Sequence, residues 1–414
     1  MTSEDELPVG RRVAYWRSRR RLSQQLFADR LGKSKSWVEK VERGVRGLGR
    51  FSVLYEIATV LRIDVQMLLP KGHQPQPFEA ASPLITAGEI GDLQTALERY
   101  ELLPGSAPAP GLSPLEEVRR SVRNAWLTYQ HGRYPVLVRA LPKLLRDTQA
   151  AELAFRVPVE HVREATHLHG QVYQLASALL RKLGHHRLAW IAADRAMTIA
   201  ERAGDDLLTG MAAGQFGQAL IGLGRIRSAL EITTIAATAL SPGGTASQQQ
   251  ISVHGHLLLQ AAMAAARLGD RASVRALFTM ATEAAAQLEG GDHNHCWTGF
   301  GPTNLTLHQA AAAVQLGDGD RAIRINQAEI DPDRLAVLMP ERRANHQLVL
   351  AHAYAQIGAV DRAGESLLHG DQLAPAEIRC RPIAHKVMSD VLRQTPGTPP
   401  APVARLAQQM GVRL

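Results

Sequence analysis

At 414 residues, 45% of them hydrophobic and 21% charged, the chain has room for two or three domains with substantial cores. Its two cysteines, Cys296 and Cys380, are too few for a disulfide framework and suit a reducing cytoplasm, and no apolar run has the length of a membrane span or signal segment. The formal charge of +8 is concentrated: residues 11–50 hold ten arginines and three lysines against Asp29, Glu39 and Glu42, while residues 71–414 are nearly balanced, which predicts a nucleic-acid partner for the N-terminal segment.

In that basic segment, residues 22–44 read as two short helices joined by a tight turn. Ser23 is placed to cap a helix running to about Leu31, Gly32 supplies the turn, and Ser34 caps a second helix ending before Gly44. Leu22, Phe27, Ala28, Leu31, Val38 and Val41 recur at near-helical spacing and would bury one face. The opposite face of the second helix carries Lys35, Ser36, Lys40 and Arg43. Lysine there can donate to guanine O6 and N7, and serine can reach bases or phosphates, in a major groove that admits a helix.

The pattern Leu22-Ser23-Gln24, Ala28, Gly32, Ser34, Val38 and Glu42-Arg43-Gly44 resembles the Cro and phage-repressor type of helix-turn-helix domain, the xenobiotic response element (XRE) family, over Val9 to Leu69. The resemblance implies that Gln24 and Ser34 meet phosphates at the starts of the two helices and that Lys35, Ser36 and Lys40 face base edges. It also implies that Arg17 and Glu42 form an internal ion pair. Trp37 departs from the small or polar residue frequent at its position. It has two readings: contact with a thymine methyl or sugar, or packing against the domain.

The next loop, residues 43–50, interleaves arginine with glycine, a composition that brings backbone close to phosphate, so Arg43, Arg46 and Arg50 are phosphate candidates; a solvated basic loop is the alternative. Two closing helices, residues 51–61 and 64–69 with Ser52 and Asp64 as caps, complete a five-helix domain over residues 1–70.

Residues 71–114 are proline-rich at both ends and read as a linker holding one helix near Asp92 to Leu103. From Leu115 to Arg393 the pattern is helical throughout, which makes the fold class all-α. One phrase recurs there: Gly184 with Ala189, Gly224 with Ala229, Gly269 with Ala272, Gly317 with Ala322 and Gly358 with Ala363, with a looser copy at Gly132-Arg133-Tyr134. Each glycine lets one helix end and the next begin, and each alanine lets neighbours approach. The array resembles tetratricopeptide repeats, with a longer period than that family's roughly 34 residues. The resemblance implies an α-solenoid that binds a peptide, small molecule or protein on its concave face and forms dimers. Residues 394–414, with four prolines between Pro396 and Pro402, read as a tail.

Between helices lies the segment Gly290 to Pro302, which contains Asp292, His293, His295, Cys296, Trp297 and Phe300. Its residues are of types that zinc accepts, but they are crowded together without a second cluster at finger-like spacing. Two readings stand: a ligand-cavity wall with His293, His295, Trp297, Phe300 and Asn304, or an ordinary inter-repeat loop. The pairs His167/His169 and His254/His256 are two apart and so point to different helix faces. No His-Glu-x-x-His, P-loop, Gly-x-Ser-x-Gly or Cys-x-x-Cys motif occurs, so neither a catalytic residue, a metal nor a cofactor is predicted.

These readings combine into a cytoplasmic transcriptional regulator, an architecture that with 40 arginines to 7 lysines resembles actinomycete proteins. A homodimer on a pseudo-palindromic operator in double-stranded DNA, with a ligand-sensing repeat domain, is expected. The alternatives are a protein-interaction scaffold without specific DNA readout, and a metalloenzyme using the Asp292 to Cys296 loop.

Overall fold

The computed structural model describes residues 8–20, 22–31, 33–45, 57, 60–61, 84–99, 113–154, 158–244 and 246–412, and it divides into two units, Met1–Glu79 and Ala80–Leu414. All regular structure among the described residues is helical. The expected turn at Gly32, the caps Ser52 and Asp64, and the phosphate candidates Arg46 and Arg50 lie outside the described residues.

In the first unit, α1 (Val9–Arg19), α2 (Gln24–Leu31) and α3 (Lys35–Glu42) surround a small core of Val13, Phe27, Ala28, Val38, Ile57 and Leu61. The two predicted caps form: Ser23 Oγ accepts from Leu26 N at 3.1 Å and Ser34 Oγ from Trp37 N at 3.2 Å. α1 and α3 approach so closely that a Cβ on Gly10 would lie 2.1 Å from the carbonyl oxygen of Val41.

The second unit begins with α4 (Ala87–Glu98), capped reciprocally by Thr86 and Glu89. Six hairpins follow among the described residues. They pair α5 (Leu115–Gln130) with α6 (Tyr134–Ala154), α7 (Val159–Lys182) with α8 (His186–Ala203), and α9 (Asp206–Gly222) with α10 (Ile226–Ala239). Next come α11 (Gln248–Arg267) with α12 (Arg271–Ala286), α13 (Pro302–Gln315) with α14 (Gly319–Ala328) and, after the short α15 (Pro332–Val337), α16 (Pro340–Gln356) with α17 (Val360–Leu373). α18 (Pro375–Arg379), α19 (Pro382–Gln394) and α20 (Ala401–Gln409) close the C-terminal end.

The six junction glycines, from Gly132 to Gly358, take φ between +67° and +86°. After each, the next residue's N–H returns to a carbonyl five residues back, as in Arg225 to Leu220 and Asp318 to Ala313, both 2.9 Å. This is the left-handed Schellman ending that glycine allows without Cβ strain. Ala189, Ala229, Ala322 and Ala363, each five residues beyond its glycine, are fully buried. The expectation for Ala272 is corrected: it is exposed, three residues after Gly269, and Val274 holds the packing position five residues on.

Two boundaries also move. The helix expected at Asp92 to Leu103 begins at Ala87, and α4 buries Ile90, Leu93 and Leu97 in the core of the second unit. The stretch expected as a tail contributes α20, which buries Val403, Leu406 and Ala407 with Met410 and sets Val403 against Gly364 of α17. Apolar positions at helical spacing won over the proline-rich flanks in both places.

The hairpins curve until the last meet the first. α16 packs on α5, and α18 on α6. At the seam, the Tyr134 hydroxyl donates to Glu377, and Lys182 donates to both Glu341 and Glu377. The result is a closed ring of hairpins around an inner face formed by the first helix of each pair.

Candidate functional sites: a basic helix face and a ring cavity

The outward face of α3 presents Lys35, Ser36 and Lys40, all exposed, while Val38, Val41 and Glu42 face inward. Lys35 Nζ lies 3.9 Å from Glu39 with both side chains largely exposed, a contact worth well under ~1 kcal/mol that leaves the lysine free to move. Arg43, just past the helix, is also exposed.

Behind this face, the expected ion pair forms as a fork. Arg17 Nε donates to Glu42 Oε1 at 2.6 Å and Nη2 to Oε2 at 3.1 Å, and Nη1 reaches the Leu22 carbonyl at 2.7 Å. Gln24 Nε2 donates to the same carboxylate at 2.8 Å. One buried carboxylate thus ties α1, the start of α2 and the end of α3 together and fixes the angle at which α3 is presented. Gln24, given a phosphate role by resemblance, has an amide hydrogen engaged in this cluster. Ser34 spends an acceptor lone pair on its helix cap. Trp37 is half-buried, packing one side of its ring against the domain core and leaving the rest exposed.

The second unit forms a partly open cavity of about 270 Å³ inside the ring. Of the loop residues singled out from sequence, Trp297 lines it, with Cys296 and Thr298 beside it. Trp297 stacks on Trp126 of α5 with centroids 5.8 Å apart and planes 7° from parallel, and its Nε1 donates to Gln171 at 3.2 Å. Gln130 and Asn294 exchange amide hydrogen bonds of 3.0 and 2.9 Å, fastening the loop across the ring to α5. Cys296 and Trp297 have φ of +49° and +62°, a left-handed conformation costing non-glycine residues about 1–2 kcal/mol each, which those cross-ring contacts hold in place.

The other loop assignments are corrected. Phe300 is fully buried core, pressed against α11 where a Cβ on Gly255 would come within 2.0 Å of its ring. Asn304 is fully buried in α13. His293 and His295 pair ring to ring at 5.1 Å away from the cavity wall, and His293 Nε2 bonds the Glu289 carbonyl. Asp292 accepts from Thr303 N at 3.0 Å and so caps α13. Among the described residues no three His, Cys, Asp or Glu side chains converge as a metal site. Burial pushes the Cys296 thiol up to about 11, the opposite of what a reactive thiolate needs.

What sequence reasoning missed is the cavity's charge. Arg181, Lys182, Arg267, Arg342 and Arg381 line it with a single carboxylate, Glu341. Burial pushes His256 down to about 3, helped by Arg342, and His308 down to about 4, again helped by Arg342. Burial raises Glu341, but Lys182 and then Arg342 outweigh it and bring the carboxyl down to about 2. The signal that would have found the wall is the stripe His256, Gln260, Met263 and Arg267 along α11, at spacings of one helical face. The two-residue rule does hold for the histidines: His254 Nδ1 bonds the Ala237 carbonyl at 2.8 Å in the core, whereas His256 faces the cavity.

Residues 8–69 match the family described as Helix-turn-helix domain. No protein of curated function is detectably similar to the chain. Among solved structures, the crystal structure of Bacillus thuringiensis PlcR in complex with the peptide PapR7 and DNA aligns at 12% identity, over 69% of this chain and 95% of that one, with a TM-score of 0.24. No described helix is long and apolar enough to cross a membrane.

Proposed function

We propose, from an N-terminal segment that is a helix-turn-helix domain, that this chain is a sequence-specific DNA-binding transcriptional regulator of the cytoplasm, acting by binding and not by catalysis. The observation that carries the reading is the exposed Lys35, Ser36 and Lys40 face of α3, held at a fixed angle by the Arg17, Glu42 and Gln24 cluster. A helix so presented enters a major groove with Lys35 and Lys40 at base edges, while Arg43 and the following arginines neutralise phosphates. Two chains paired as a homodimer would set two such helices about 34 Å apart, or a multiple, on a pseudo-palindromic operator.

In this reading the hairpin ring is the sensor. A peptide, small molecule or protein partner that binds one arrangement of the dimer more tightly than another shifts the population competent for DNA.

Crosslinking of the protein to DNA across its host genome, with Lys35→Ala, Lys40→Ala as control, tests the proposal. Discrete sites sharing a two-fold motif, lost in the double variant, are expected. No discrete sites for the wild type across several growth conditions would replace the regulator with a scaffold that uses its ring for protein partners.

A further inference from the structure

The charges around the ring cavity do not balance. Lys182 and Arg381 are matched by Glu341 and Glu377, through the bonds of Lys182 to both carboxylates and of Arg381 to Glu377. Arg342 keeps only a loose 3.9 Å contact with Glu341. Arg181 and Arg267 have no carboxylate partner among the described residues, and Arg181 Nε is buried without any hydrogen bond. The two are near enough that Arg181, after burial, helps push Arg267 below its ordinary value. Two guanidinium groups lining one partly open cavity repel, and that repulsion falls when an anion sits between them.

The neighbouring polar atoms are unspent as well. Gln260, 6% exposed, has its Oε1 unbonded; so are Gln215 Oε1, His256 Nδ1 and the indole nitrogen of Trp126, itself 3% exposed. All four residues line the cavity, and native interiors leave few such atoms without a partner. Trp297 and Met263 add apolar wall.

We infer that the ring cavity binds a small molecule or chain end bearing one oxyanion, a carboxylate or phosphate on a largely apolar body, with Arg181 and Arg267 as its charge partners, the Trp126 indole N–H as a donor to it, and the Gln215 and Gln260 amide oxygens as acceptors for N–H or O–H groups of the body. This rests on the reading of the ring as a sensor and names the chemistry of what it senses. The volume of about 270 Å³ is near the lower end of ligand pockets and suits a body of amino-acid to dipeptide size. Two sources carry that chemistry: a free organic acid or phosphate, and the C-terminal carboxylate of a peptide inserted end-first.

Thermal unfolding and calorimetric titration of the full-length protein decide the matter. The probes are N-acetylphenylalanine against its amide, phenyl phosphate against phenol, and the pentapeptide Ala-Ala-Ala-Leu-Phe as free acid against its amide. Each anion should bind at least tenfold more tightly than its neutral counterpart. Arg181→Gln, Arg267→Gln should erase that preference, and Arg275→Gln, an exposed arginine of α12, should keep it. Arg267→Gln alone repeats the test at a more exposed position should the double variant fold poorly. A preference confined to the pentapeptide acid assigns the site to peptide ends; one shared by the small acids assigns it to free metabolite-like anions. Neutral counterparts binding as well as the anions, or a preference surviving in the double variant, would overturn the oxyanion assignment and leave the sensor standing. No binding by any probe would likewise overturn the oxyanion assignment.

Discussion

Lys182 and Glu377, 195 residues apart in the chain, share hydrogen bonds of 2.9 Å to both carboxylate oxygens in a site where neither side chain is more than 4% exposed. Tyr134 and Arg381 also reach Glu377, so one carboxylate on α18 ties the first and second hairpins to the segment that follows the last one. Lys182→Met should leave two carboxylates buried with a cation removed and cost about 3–5 kcal/mol, whereas Arg393→Ala, which breaks an exposed pair with Asp390, should cost under about 1 kcal/mol. Denaturant unfolding of the two variants checks the contrast, and adding Glu377→Gln to Lys182→Met should return part of the loss.

Glu42 has the same standing in the first unit. Glu42→Gln should strip Arg17 of its fork and destabilise that unit by about 3 kcal/mol, seen as faster hydrogen exchange across α1 to α3. DNA affinity should fall with base preference unchanged, because Arg17 and Glu42 hold α3 from behind its exposed face. A changed base preference would contradict that role.

In the proposed reading, base readout belongs to other residues. Lys35→Ala or Lys40→Ala should lower discrimination between operator and random DNA by about 1–3 kcal/mol, while Arg43→Ala should weaken both alike and flatten the salt dependence. Parallel titrations at several salt concentrations separate the two behaviours.

Acid should weaken the ring. Burial holds His256 near 3 and both His308 and His346 near 4, against about 6.5 when unfolded. As pH falls through 6.5 the unfolded chain takes up protons that the folded ring refuses, so stability drops steadily from there to about pH 4. At pH 5 the loss is about 2 kcal/mol for each histidine. The melting temperature should fall between pH 7 and 5; a flat or rising profile would show that these imidazoles are solvated.

Gly255→Ala should cost about 1–3 kcal/mol, since its Cβ would meet the Phe300 ring at 2.0 Å. Phe300→Leu in the same chain should recover part of it, a coupling measurable as a double-mutant cycle.

What was legible in the sequence is what depends on neighbours along the chain. The caps Ser23 and Ser34, the buried stripe from Phe27 to Val41 and the junction glycines each act within a turn or two, so spacing reveals them. Arg17 and Glu42 came from resemblance to a known domain. The cavity wall was hidden because Arg181, His256, His308 and Arg342 sit on four helices whose meeting depends on how far each hairpin rotates from the last. Phe300 was misplaced because an aromatic residue in a polar loop suits a binding wall as well as a core, and only the space beside Gly255 decides between them.

Open solenoids lengthen readily by duplication, since each repeat touches only its neighbours. A ring closed by Lys182 on Glu377 has no such latitude: one hairpin more or fewer would carry the two residues past each other and strand both charges. The number of hairpins in this unit is therefore set by its seam, and variation in what it binds must come from side chains on the inner face, not from growth of the array.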